Sequence, residues 1–114
     1  MAEASIGVPR GLNLGSLGLV GWSGNQWWAT KDIAVSRAAS GVLAVGSNGT
    51  PGDTGGRMQM ASVRVGSYTV SGVPSASTYG AGSMIYVSNE SGGAVIAFSD
   101  GTNWRRVTDR AVIS

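Results

Sequence analysis

The 114-residue sequence contains no Cys, no His and only one Phe. Without Cys it has no disulfide framework, no thiolate zinc site and no cysteine nucleophile. Without His it lacks the commonest general base and the commonest nitrogen metal ligand. Charge is scarce as well: 12% of residues are Asp, Glu, Lys or Arg, where about 25% is usual. No long hydrophobic run is present. The longest near-apolar stretch, Leu12 to Trp22, is about half of a bilayer span and is broken by Gly15, Gly18 and Gly21. Nor does Met-Ala-Glu-Ala-Ser at the start carry the basic region of a secretory signal. These absences argue against an enzyme, against a metal or other cofactor, and against membrane insertion.

The eight cations exceed the six acids by two, yet they are scattered. Arg10, Lys31, Arg37, Arg57 and Arg64 stand alone, and only Arg105, Arg106 and Arg110 cluster, flanked by Asp100 and Asp109. A nucleic-acid binder shows a continuous basic patch or a recognisable fold signature. Neither is present, so no nucleic-acid partner is expected.

What is abundant is Gly, with nineteen residues, about one in six against a usual share of about 7%. Gly or Pro interrupts nearly every window of ten, which disfavours long helices. Short strands separated by turns fit better, and the expected fold is all-β: short antiparallel strands and hairpins, sandwich-like, barrel-like or a meander. The expected strands are Leu17 to Trp22, Trp27 to Thr30, Ile33 to Arg37 and Val42 to Val45, with turns at Gly24-Asn25 and Ser40-Gly41. Within the third, Ile33, Val35 and Arg37 share one face and Ala34, Ser36 and Ala38 the other. Residues 47–56 read as a Gly-rich loop and a candidate hinge. Arg57 to Val65 then alternates, with a bend near Ala61-Ser62, before a strand at Ser67 to Val70 and a loop over 71–82. Met84 to Ser88, Ala94 to Phe98 and Asn103 to Val107 form a meander whose second turn carries Asp100-Gly101. This gives an N-terminal attachment segment over 1–46, the loop 47–56 and a β-meander over 57–114, together one compact domain.

Candidate chemistry is thin. Glu90 and Asp100 lie at the turns of successive hairpins, on opposite ends of a sheet and roughly 17 Å apart, too far for a glycosidase pair. Both read as solvated turn residues. Asp53, alone among loop carbonyls, is a poor calcium site. The four Trp are more informative. Trp22, Trp27, Trp28 and Trp104 could fill a core, form a subunit interface or stack on sugar rings. Trp27 and Trp28 are neighbours, so on a strand they face opposite ways and both faces need cover. Few charges and many short strands leave sheet edges open in a single chain, and oligomerisation is one remedy.

The closing segment carries a resemblance. Val65-Gly66-Ser67-Tyr68-Thr69-Val70, Val73-Pro74-Ser75-Ala76 and the run Gly92-Gly93-Ala94-Val95-Ile96-Ala97-Phe98-Ser99-Asp100-Gly101-Thr102-Asn103-Trp104-Arg105-Arg106-Val107 resemble the C-terminal segment of bacteriophage and prophage tail-fibre-type virion structural proteins. The likeness is strong over about 65–114 and weak before it. It implies a virion location, a structural role, a homotrimer and other virion proteins as partners, with no catalytic residues to carry over. Subunit-interface or partner contacts are then expected at Trp22, Trp27, Trp28, Tyr86, Phe98, Trp104, Arg105 and Arg106. Within the meander, packed about a threefold axis, Trp104 is expected as a packing anchor, and Arg105 or Arg106 is expected to pair with Asp100 or Asp109 of its own or a neighbouring chain. The chain lacks a long repetitive shaft, which keeps open a head-decoration or cement protein. A module binding host surface glycan through Trp27 or Trp28 is the reading from a different class.

Overall fold

A computed structural model describes residues 13–26 and 28–114. The fold is all-β, with two sheets. Where the sequence reading expected one compact domain, the chain divides into two compact units, the first ending at Met60 and the second running from Ala61 to Ser114. The division falls beyond the Gly-rich loop, which belongs to the first unit.

In the first unit, β1 (Leu19–Ser23), β2 (Lys31–Ala39) and β3 (Val42–Gly46) form an antiparallel meander with β2 in the middle. Leu19 stands opposite Ser36 and Trp22 opposite Ile33, and on the other side Val35 faces Val45. Cross-strand partners share a face, so this register sorts the sheet into two unlike surfaces. One carries the large side chains of Val20, Trp22, Ile33, Val35, Leu43 and Val45. The other carries Gly21, Ala34, Ser36, Ala44 and Gly46, with Leu19 at the start of β1. The small face is the buried one: Ala34, Ser36 and Ala44 are almost fully covered.

Loop 47–56 supplies the cover, so the segment expected to act as a hinge is bonded into the first unit. Gly52 N–H donates to the Ser36 hydroxyl at 2.8 Å, and Gly56 N–H donates to the Val45 carbonyl at 3.0 Å. Asp53 staples the loop, its Oδ2 accepting from the Ser47 N–H at 2.7 Å and the Gly55 N–H at 3.2 Å. The approach is so close that a Cβ at Gly56 would sit 2.6 Å from the Gly46 carbonyl oxygen, and one at Gly46 would sit 2.9 Å from that of Asp53. Gly at these two positions is therefore a packing requirement.

The second unit has the strand order β4 (Ser67–Tyr68), β5 (Met84–Val87), β6 (Val95–Ser99), β7 (Trp104–Arg106). The hairpins are antiparallel, as the meander reading expected, while β4 pairs with β5 in parallel. Between β4 and β5 lie a 3₁₀ turn over Val70–Gly72 and a short helix, α1 (Ala76–Tyr79), the latter inside the segment expected to be loop. Ser75 caps it, its hydroxyl accepting from Thr78 N–H at 3.2 Å. Residues 28–30, expected within a strand, are not in one, and Ala29 N–H donates to the Gln26 carbonyl at 3.0 Å. The core gathers Ala76, Ile85, Val87, Ala97 and Trp104. Buried Ser99 ties α1 to β6, donating to the Ala76 carbonyl at 2.7 Å and accepting from Gly101 N–H at 3.0 Å. The Asp100-Gly101 turn closes through Asp100 Oδ1, which accepts from Thr102 and Asn103 N–H, while Gly101 takes a φ of 95° open to glycine.

Candidate functional site

The most distinctive surface is the large-residue face of the N-terminal sheet. Trp22 is 54% exposed and Leu43 67%, with Val20 also exposed and Ile33, Val35 and Val45 half-buried. Arg37 shares this face, opposite Leu43. A sheet that buries its small residues and presents its large apolar ones to water is inverted relative to an ordinary single chain. Contiguous apolar surface of this kind marks an interaction site. The outer face of the second sheet repeats the theme: Met84 faces Phe98 and Tyr86 faces Ile96, with Arg105 beside Phe98. Met84 and Tyr86 are exposed, and Ile96 and Phe98 are half-buried.

The expected contact residues therefore separate into groups. Trp22, Tyr86 and Phe98 stand on outer faces. Trp28 is 63% exposed in the connection between β1 and β2. Trp27 lies outside the described residues. Trp104 is no partner contact, because it is 4% exposed at the centre of its own unit. Its Nε1 donates to the Pro74 carbonyl at 2.7 Å, and the Tyr79 ring meets it edge-on with centroids 6.1 Å apart. Burial of a large ring with its polar atom paired makes it the packing anchor of the second unit.

Arg105 and Arg106 project to opposite faces, and both find carboxylates within the chain. Arg105 pairs with Asp100 and also donates to the Arg110 carbonyl at 3.0 Å. Arg106 bridges Glu90 at 2.7 Å and Asp109 at 2.9 Å. Glu90 corrects the expectation of a solvated turn residue, since its side chain is fully shielded. The carboxylate also accepts from Gly92 N–H at 2.8 Å and from Ser114 N–H at 3.3 Å, so it clamps Ser114 against the 89–93 turn. The Gly92 N–H, foremost, and then the Arg106 guanidinium hold Glu90 below the usual carboxylate range, against the burial that would raise it. Arg105, foremost, with the N–H groups of Asn103 and Thr102, lowers Asp100 to about 2. The Ala111 N–H and then Arg106 lower Asp109. Each of these carboxylates stays ionised at neutral pH and is spent on a structural bond.

Asp53 is lowered by the N–H groups of Ser47 and then Gly55, which makes it a loop staple. Among the described residues no cluster of three acids could hold a metal ion, and no helix is long and apolar enough to cross a membrane. An open groove of about 780 Å³ is lined by Asp32, Ile33, Ser47 and the 55–60 segment. It presents one carboxylate and the guanidinium of Arg57, with no nucleophile–base pair. Comparison with family models, characterised proteins and solved structures yields no match to the chain.

The alternation of Ile33-Ala34-Val35-Ser36 and Leu43-Ala44-Val45-Gly46 carries the two-faced sheet in the sequence. Which face lies inward depends on the loop that follows, and alternation alone does not say.

Proposed function

We propose that this protein is a non-enzymatic structural component of a bacteriophage particle, a tail-fibre-like β module on the virion exterior that assembles as a homotrimer. The observation that carries the assembly reading is the outward row of Val20, Trp22 and Leu43 on a sheet whose small-residue face is already filled by the chain's own loop. Water contact with that row is costly, and a sister subunit offers a matching apolar surface. The outer face of the second sheet, with Met84, Tyr86 and Phe98, adds a further contact area. The virion part of the reading rests on the resemblance of 65–114 to tail-fibre termini.

Light scattering on the purified protein tests the assembly, with an expected mass three times the 11.5 kDa of one chain. Imaging of particles labelled on this chain tests the location, and label on the head would favour the cement-protein reading. The exposure of Trp22 and Trp28 favours one second reading, a host-glycan site built on their rings. Tryptophan fluorescence titrated with host surface glycan separates it: a saturable change supports sugar binding, and a flat response removes it.

A further inference from the structure

Gly and Pro punctuate this chain so densely that a run of seven or more residues free of both is a strand signal. Such runs occur at 25–40, 57–65, 83–91, 94–100 and 102–114. Four of the five contain a strand, namely β2, β5, β6 and β7. The exception is Arg57-Met58-Gln59-Met60-Ala61-Ser62-Val63-Arg64-Val65, which joins the two units with no ladder partner. Among the described residues, none of these nine gives or takes a hydrogen bond within the chain. A flexible linker would be rich in Gly, Ser or Pro. This one instead holds Met58 60% exposed and Val63 65% exposed.

A matching vacancy exists at a sheet edge. The outer edge of β3 accepts a bond from Gly56, the outer edge of β7 is covered by residues 111–113, and β4 is two residues long. The outer edge of β1 is different: Leu19–Ser23 has no backbone hydrogen bond on the side away from β2 among the described residues. Five residues of open edge and nine residues of unpaired strand therefore stand on the same chain. Each alone is an exposed template for pairing, and strand addition satisfies both.

We infer that Arg57–Val65 is a donated strand, adding to the β1 edge of the N-terminal sheet in a second copy of this chain. This deepens the homotrimer reading and rests on it. Side-chain parity sets the face, and an antiparallel alignment that puts Met60 beside Val20 and Met58 beside Trp22 extends the apolar surface, while Arg57 and Gln59 turn to the other side. Met sulfur against the Trp22 ring is a favourable contact. Donor and acceptor are different surfaces, so the contact is head-to-tail, and three subunits close it as a ring.

The absence of native Cys makes the test direct. Chains carrying Val20→Cys alone are mixed with chains carrying Met60→Cys alone, exchanged and oxidised. The inference expects a covalent heterodimer as the main product, with each variant alone giving several-fold less. In parallel, Gln59→Pro and Met60→Pro are sized by light scattering. Adjacent N–H groups of a strand point to opposite sides, so one of the two substitutions removes a bond to the partner. At least one variant is expected to lose the trimer while each chain keeps the Trp104 signal of a folded second unit. If the natural protein is trimeric, but neither Pro variant dissociates it and no heterodimer forms, strand donation is overturned and the trimer reading stands. If the natural protein is monomeric at all concentrations, both fall together.

Discussion

Leu43→Ala separates what the chain needs for itself from what it presents to a partner. Leu43 is 67% exposed, so the single chain gains only about a third of the burial its side chain can offer. Truncation removes three carbons, worth about 0.8 kcal/mol each when fully buried. The isolated chain should therefore lose no more than about 1 kcal/mol, and its thermal midpoint should move by a few degrees at most. If the remaining two thirds is covered by a sister subunit, each copy loses roughly 1.6 kcal/mol of assembly energy. Three equivalent contacts bring the trimer to about 5 kcal/mol, more than a thousandfold in its dissociation constant. A dilution series followed by light scattering reads that shift. A Leu43→Ala variant that associates as tightly as the natural protein while its thermal midpoint drops sharply would refute this, because the side chain would then be packed inside its own unit.

Two further outcomes concern the second unit. Val87 is fully buried, and Val87→Ala should lower its unfolding free energy by about 2 kcal/mol in denaturant titration of the Trp104 signal; a loss under about 0.5 kcal/mol would contradict the core described. Glu90, Asp100 and Asp109 are held below their ordinary values of 4.5, 3.8 and 3.8. The folded unit therefore binds fewer protons than the unfolded chain in acid. Their stabilisation is complete above about pH 5 and is lost as pH falls through 4 toward 2, near the value for Asp100. The thermal midpoint should fall over that window and Glu90→Gln should flatten the fall, whereas a midpoint that holds or rises would contradict the clamp.

The strands of the second unit were legible because each hydrophobic stretch, Met84 to Val87 and Val95 to Ser99, is bounded by Gly or Asn-rich turns. Helix α1 was not, since Pro74 and Gly80 frame only four helical residues and a single Ser75 cap forms them. Glu90 sits in a run of turn-forming residues, and its burial comes from Arg106 and Ser114, 16 and 24 positions away. Local pattern carries no sign of such contacts. The same limit applies to the N-terminal sheet, where alternation separated Ala34 and Ser36 from Ile33 and Val35. The inward choice was made by Gly52 and Gly56 of a loop whose composition alone read as a hinge. Arg57–Val65 is the reverse case: its residues carry a strand pattern, and within one chain the backbone finds no partner.

On the proposed assembly, the outward apolar face is covered by copies of the same chain. Light scattering on the intact protein across micromolar concentrations tests it most directly. A single species of three times 11.5 kDa is the predicted result, and a persistent 11.5 kDa monomer would contradict it.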